Sequence, residues 1–180
     1  MKRVGRVPKA KRRVAFECVV STYEAPLLRY ASRLVRNIDV AQDIVQDSFI
    51  RLFKKWTDEL EPSPRLSSWL YRVVHNRAVD YVRKESRRHA LHIRHAEQSQ
   101  GFATPDRGEG FRISAAAERA VAALQHLSSR EQQVVVLKVF EEKSYKEISE
   151  ITGLSTGNVG YILHHAMRRM AEELRKARTI

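Results

Sequence analysis

Residues 144–163 of this 180-residue chain read Ser-Tyr-Lys-Glu-Ile-Ser-Glu-Ile-Thr-Gly-Leu-Ser-Thr-Gly-Asn-Val-Gly-Tyr-Ile-Leu. Ser144 and Glu147 have the spacing of a capping box, which predicts the start of a short helix. Gly153 supplies the left-handed residue that ends a helix, and Ser155 can cap the next one. Two helices joined by a tight glycine turn, the second longer and ending basic, are typical of a helix-turn-helix.

The sequence on either side of this stretch supports the same motif. Ser128 and Glu131 form an earlier capping box, which predicts a helix through about Val139. The last helix has one apolar stripe, formed by Val159, Ile162, Leu163, Ala166, Met170 and Leu174. Its opposite face presents side chains that can hydrogen-bond base edges or phosphates: Asn158, Tyr161, His165 and Arg168. The alternative is a merely solvated helix face.

The first half of the chain also has helical spacing and no strand alternation. Within 39–56, the apolar residues fall on one face, and Asp39, Asp43 and Asp47 form a stripe away from it. The prolines in 61–64 break the helix, and another is predicted from about Ser67 to Arg87. Glycines and a proline between about 88 and 115 indicate a flexible linker. The predicted fold is therefore all-α, with two small helical domains joined by a flexible linker, the second a helix-turn-helix.

One side of the predicted 67–87 helix combines an indole, an amide and guanidinium groups. These side chains suit single-stranded or melted DNA, because the ring can stack on a base while the cations hold phosphates. The residues are Trp69, Arg72, Asn76, Arg83 and Arg87. Under the alternative interpretation, Trp69 is a core residue and the arginines are simply exposed.

Composition narrows the class of protein. With 33 Lys and Arg against 21 Asp and Glu, the net charge is +12, which favours a polyanionic partner such as nucleic acid. No apolar run is long enough to insert into a membrane, and no signal peptide is evident, so we expect a cytoplasmic protein. The single cysteine, Cys18, is expected to be a small buried residue.

No catalytic residues, metal site or cofactor are predicted. The chain has no glycine-rich phosphate loop and no serine or cysteine in a recognisable nucleophile setting, so it is not expected to be an enzyme. His89, His92 and His95 lie three residues apart in or beside the predicted linker, with no paired acid or cysteine to complete a metal site. We interpret them as solvated histidines.

At this point, two parts of the chain resemble a known family, the bacterial RNA polymerase sigma factors. Region 2 of that family is resembled by two runs, Asp39-Val-Ala-Gln-Asp-Ile-Val-Gln-Asp-Ser-Phe49 and the residues from Ser68 to Arg83. Region 4 is resembled by residues 127–131, residues 144–149 and the helix after Ser155. A short chain with only these regions is similar to the extracytoplasmic-function (ECF) subgroup. The implied domains are a basic tail (1–15), region 2 (16–88), a linker (89–117) and region 4 (118–180).

The resemblance implies a specificity subunit that directs core RNA polymerase to a promoter class and promotes transcription initiation. Its region 2 would bind the clamp of the polymerase's largest subunit through Asp39, Asp43, Gln46, Asp47 and Phe49. The −10 element would be bound by Trp69, Arg72, Asn76, Arg83 and Arg87. The −35 element would be bound by Asn158, Tyr161, His165 and Arg168. An anti-sigma factor is a further implied partner. The basic tail lies outside the resemblance, and phosphate contact and disorder both remain open for it.

Two other functions fit parts of this pattern. A free-standing helix-turn-helix transcriptional regulator would explain the second domain but has no use for the acidic stripe of 39–47. A structural nucleoid or RNA-binding protein would explain the net charge, and would bind nucleic acid without sequence preference and with a steep salt dependence.

Overall fold

The structure is a computed structural model that describes residues 9–56, 60–96, 123–124 and 126–176. These residues form helices, turns and connecting segments and contain no strand, so the all-α prediction is confirmed. Within the same ranges, no helix is both long and apolar enough to cross a membrane.

Three long helices build the first module. They are α1 (Lys9–Val35), α2 (Ile38–Lys55) and α3 (Pro64–Ala96). Asn37 caps α2, since its side-chain oxygen accepts a hydrogen bond from the Val40 amide at 3.0 Å. Pro64 begins α3, a position where a missing amide proton costs no helical hydrogen bond. The predicted break at 61–64 thus separates two helices that pack on one core.

The core of the first module is formed by apolar side chains from all three helices, together with the phenol of Tyr30. Five large side chains there are fully buried: Leu27, Tyr30, Leu52, Leu66 and Leu70. Because α2 buries Ala41, Val45 and Leu52 on one side, its opposite side must face outward. The packing therefore fixes which side chains the first module can present to a partner.

The second module contains the predicted helix-turn-helix. Its helices are α4 (Ser129–Val135), continued by a π-helical turn (Val136–Phe140), then α5 (Tyr145–Thr152) and α6 (Thr156–Lys176). Both predicted capping boxes are formed, and Gly153 has φ of +74° between α5 and α6. The Ser155 hydroxyl accepts a hydrogen bond from the Asn158 amide at 3.3 Å. Val134, Ile148, Val159 and Leu163 are among the buried residues that join these helices.

Two helix bounds differ from the sequence-based expectation. Helix α3 continues to Ala96, past the expected end near Arg87, because no glycine or proline interrupts the chain before Gly101. The helix from Ser129 changes to π geometry at Val136 instead of remaining α-helical through about Val139. Most of the predicted linker, and residues 1–8 of the predicted tail, lie outside the described residues.

The rest of the predicted basic tail is part of α1, which begins at Lys9. The Arg12 guanidinium donates hydrogen bonds to the carbonyl oxygens of Phe53 at 2.8 Å and Trp56 at 3.2 Å. These carbonyls lie at the C-terminal end of α2, where a cation satisfies unpaired acceptors and the negative end of the helix dipole. Arg12 therefore connects α1 to α2.

Cys18 is exposed, so the expectation of a buried cysteine was wrong. Its neighbour Val19 is the residue that faces the core. A helix turns by about 100° per residue, so the Cys18 side chain points about 100° away from that of Val19 around α1.

Candidate functional surfaces

The acidic stripe of Asp39, Asp43 and Asp47 lies exposed along α2, together with Gln46. Asp39 is in the first turn of the helix, where a negative charge interacts favourably with the helix dipole. Within the described residues, neither Asp39 nor Asp43 has a cation within 4 Å. Both carboxylates are exposed, so a partner can contact them.

Asp47 differs from the other two acids because it is bonded to α3. Its carboxylate is 2.5 Å from the Arg77 guanidinium, and the Arg77 Nε is buried with no hydrogen-bond partner among the described residues. Removal of the Asp47 charge would leave a partly buried cation unpaired. Asp47 thus has a structural role that Asp39 and Asp43 lack.

Phe49, the fifth residue predicted for this surface, is only 6% exposed. Its ring contacts Phe16 edge to face, with centroids 6.3 Å apart. It supports α2 from the core side. An open groove of about 510 Å³ lies between α1 and α2 and is lined by Phe16, Val20, Asp43, Gln46 and Ile50, among others. The acidic stripe therefore borders a partly apolar groove.

The second surface is on α3. Four of the five predicted residues, Arg72, Asn76, Arg83 and Arg87, are exposed and share one side of the helix by their spacing. Trp69 is half-buried, and its ring packs edge to face on Trp56 with centroids 5.6 Å apart. The indole is thus partly a packing residue, which limits the area that it can offer to a base.

Beneath this surface is a buried pair that the sequence analysis did not identify. His75 is 4% exposed, and its Nδ1 is 2.8 Å from the hydroxyl of the fully buried Tyr30. Burial lowers the pKa of His75 from 6.5 to about 4, and the nearby Arg83 charge acts in the same direction. The one signal for this pair in the sequence was a polar residue, His75, next to Val74 on an otherwise apolar helix face.

We expect acid destabilisation that depends on His75. Its pKa is lower in the folded state than in the unfolded state, so the unfolded chain binds more protons between about pH 6.5 and 4. The free energy of unfolding should therefore fall by about 3 kcal/mol as the pH falls through this window. Urea unfolding at a series of pH values from 7 to 4 measures this free energy.

The variant His75→Gln should make the free energy of unfolding less dependent on pH. The control His164→Gln, which changes an exposed histidine, should leave the dependence unchanged. The same pH dependence in both variants would contradict the assignment of acid destabilisation to His75.

The third surface is on α6. Asn158, Tyr161 and Arg168 are exposed, and His165 is half-buried with its ring 4.3 Å from that of Tyr161. Arg169 instead faces α4, where it bonds Glu131 at 3.0 Å and the His126 carbonyl at 3.0 Å. This contact holds α6 against the rest of the second module. The outward face of α6 is thus the one predicted, with Tyr161 as its most prominent ring, 65% exposed.

None of the three surfaces resembles a metal centre. No group of three or more His, Cys, Asp or Glu residues within the described part of the chain could hold a metal ion. The side chains of His89, His92 and His95 lie outside that part.

Comparison with known proteins agrees with this architecture. Residues 19–88 match the family model for sigma-70 region 2, and residues 117–170 match that for sigma-70 region 4. RNA polymerase sigma-E factor of Streptomyces avermitilis is 31% identical over 88% of this chain and 84% of its own length. ECF RNA polymerase sigma factor SigW of Bacillus subtilis is 26% identical over 97% of this chain and 96% of its own length.

Two solved structures share the fold. The sigma factor RpoE of Bartonella quintana, in complex with the anti-sigma factor NepR, superposes with a TM-score of 0.67 at 20% identity, covering 89% of this chain and 96% of that one. CnrH, in complex with the cytosolic domain of CnrY, superposes with a TM-score of 0.64 at 21% sequence identity. The superposition covers 93% of this chain and 94% of that one. The sequence matches and the two modules together show that this chain belongs to the sigma-70 family and is an ECF sigma factor of RNA polymerase.

Proposed function

We propose that this sigma factor uses three separate surfaces for three partners. The acidic stripe and Gln46 on α2, supported by Phe49, bind the clamp of the largest polymerase subunit. The α3 surface holds the non-template strand of the −10 element, and the outer face of α6 contacts the −35 element as duplex. The observation that carries this proposal is the separation of charge: exposed carboxylates on α2, and exposed cations on α3 and α6.

The chemistry of α2 supports a protein partner. Carboxylates are repelled by phosphate, so a stripe that includes the exposed Asp39 and Asp43 does not suit a nucleic acid. The adjoining groove between α1 and α2 offers apolar contact area beside these charges. A combination of apolar area and a charged rim is typical of protein–protein interfaces.

The chemistry of α3 supports single-stranded DNA. Arg83 and Arg87 are one helical turn apart and exposed, so both can contact phosphates of one strand. Asn76 and Arg72 lie along the same side and can hydrogen-bond the edge of an unpaired base. Melting would then be driven by capture of exposed bases, without hydrolysis of a nucleotide.

The chemistry of α6 supports duplex DNA. Its N-terminal half presents Asn158 and Tyr161, and the recognition helix of a helix-turn-helix contacts base edges with its N-terminal residues. A β-carbon added at Gly157 would have no heavy atom within 4 Å, so this side of the helix is open to a close approach of DNA. Arg168, farther along, is placed to contact phosphate or guanine.

In this role the chain is not itself an enzyme, because the core polymerase forms the phosphodiester bonds of the RNA. The chain acts in the cytoplasm, where the nucleoid lies. In the solved structures, RpoE is bound to the anti-sigma factor NepR, and CnrH is bound to the cytosolic domain of CnrY. We therefore propose that an anti-sigma factor also binds this chain. A free-standing regulator is not favoured, since residues 19–88 match sigma-70 region 2.

The test is transcription with core polymerase from the host, with and without this chain, on genomic DNA fragments. We expect a new set of transcript 5′ ends that share two upstream sequence elements, near −10 and −35. The same elements should be protected from nucleases only when core polymerase and the chain are both present. The proposal fails if no new 5′ ends arise while the chain alone shifts duplex DNA.

A further inference from the structure

The part of α6 proposed to meet the −35 element has no permanently charged side chain. From Ile151 to Met167 the chain contains no Lys, Arg, Asp or Glu, although 33 of its 180 residues are Lys or Arg. The cations of α6 begin at Arg168, more than three turns after Thr156, where the helix starts. Because phosphate contacts position a protein on DNA and base contacts give it specificity, a stretch without cations is better suited to read bases than to hold phosphates.

Three side chains of this stretch share the outer face of α6. Asn158, Tyr161 and His165 follow one another at steps of three and four residues, whereas Val159 and Leu163, on the other side of the helix, are buried. Along the helix axis, residues 158 and 165 are about 10 Å apart. Successive nucleotides of a DNA strand are about 3.4 Å apart, so this face can span about three base pairs.

Tyr161 has the largest ring on this face. It is 65% exposed, and its ring centroid lies 4.3 Å from that of His165, with an angle of 53° between the two planes. Gly157, one turn before Tyr161, has no side chain that could cover the ring, and a β-carbon built there would have no heavy atom within 4 Å. The ring is therefore supported by the imidazole on its C-terminal side and open on its N-terminal side.

The chemistry of this face favours A·T pairs. Thymine alone among the four bases presents a methyl group in the major groove, and apolar contact with that methyl is one way in which proteins read it. The Asn158 amide can form two hydrogen bonds with adenine. Guanine is most often read by Arg or Lys, and α6 has neither before Arg168, whose guanidinium lies 3.8 Å from the Glu172 carboxylate.

We propose that Tyr161 is a specificity-determining residue that recognises a thymine of the −35 element through its methyl group, and that Asn158 reads an adenine within the same three base pairs. The inference rests on the proposed function of α6, because it requires this helix to lie in the major groove of that element. Since the contact involves no cation, loss of the ring should weaken promoter binding without a change in its salt dependence.

The test removes one methyl group at a time from the DNA. Promoters found by mapping of transcript 5′ ends are prepared with each thymine of the −35 element replaced in turn by deoxyuridine, which lacks only the methyl group. With core polymerase and the wild-type chain, one replacement should weaken promoter binding about fourfold, the effect expected for one buried methyl group. Tyr161→Ser should bind the normal and the uracil-containing promoter equally. Tyr161→Phe, which keeps the ring, should respond like the wild type.

Met167→Ala is the matched control. Met167 is an apolar residue of α6 that is 46% exposed, but its spacing places it on another side of the helix from Tyr161. This variant should respond to uracil as the wild type does. Circular dichroism should be the same for all the variants, because each changed side chain is exposed.

The possible failures are distinguishable. A response to uracil that persists in Tyr161→Ser would overturn the inference, since another residue would then contact the methyl group. Promoter binding that is unchanged in Tyr161→Ser would also overturn it and would assign the ring to a protein partner. If base-pair changes in the −35 element weaken binding but uracil does not, the inference fails and the assignment of α6 to that element stands. If neither affects binding, the proposed function of α6 fails as well.

Discussion

Reversal of charge at Asp39 and Asp43 is expected to weaken binding to core polymerase by about 100- to 1000-fold, because like charges across an interface cost several kcal/mol. Both carboxylates are exposed on α2, so the double variant Asp39→Arg with Asp43→Arg should leave the core of the first module intact. Asp47 is left unchanged, since it is bonded to Arg77 and its reversal would also disturb the contact between α2 and α3. Titration of core polymerase into labelled protein measures the affinity.

The matched control for this experiment is Asp80→Arg with Glu85→Arg. These acids are exposed on α3 and give the same change in net charge, but they belong to a different helix from the acidic stripe. The control should bind core polymerase like the wild type, and circular dichroism should be the same for all three proteins. Equal loss of affinity in both double variants would mean that net charge, and not the stripe, determines binding.

Removal of Arg83 and Arg87 is expected to reduce open-complex formation by about 100-fold while leaving core binding unchanged. Each guanidinium is exposed on α3 and placed to contact a phosphate of the melted strand. The loss of two single-strand phosphate contacts should also lower the salt slope of binding by about 1.4. Permanganate reactivity of unpaired thymines at the −10 element follows melting directly.

Arg88→Ala is the control for the α3 surface. Arg88 is next to Arg87 and exposed, but it lies about 100° around the helix and interacts with Glu85 at 3.3 Å. Its removal should leave melting close to that of the wild type. If Arg88→Ala impairs melting as much as the double variant, the basic charge of α3 acts without regard to helix face.

The helix-turn-helix could be predicted because its signals are local. Ser144 and Glu147 lie three residues apart and satisfy each other's backbone groups, and Gly153 adopts the positive φ expected where α5 ends. The acidic stripe was equally predictable, since a helix with one apolar face has only one side left for its carboxylates.

Features set by contacts between distant residues could not be predicted. Nothing near Glu141 in the sequence indicates that Arg33 and Tyr71 will bond to it, and a π-helical turn has no simple sequence signature. Likewise, Arg12 lies in a run of basic residues, and only packing shows that it caps α2. Such pairings depend on how helices meet, which periodicity does not specify.

The exposure of individual side chains at the edge of a helix face was the other uncertain feature. Phe49 was assigned to the polymerase-binding helix, on which it would lie or which it would support, and Trp69 was assigned to the −10 surface with a core position as the alternative. Phe49 is buried against Phe16, and Trp69 is half-buried against Trp56. Aromatic residues at such edges bury much apolar area when a neighbour permits it. Their roles in binding remain predictions.

The most direct test of the division between surfaces is photo-crosslinking in the assembled promoter complex. A photoreactive amino acid at Gln46, exposed on α2, should label the largest polymerase subunit and no DNA, whereas the same group at Asn76 on α3 should label the non-template strand at the −10 element. A probe at Gln46 that labels promoter DNA, or one at Asn76 that labels only protein, would contradict the account.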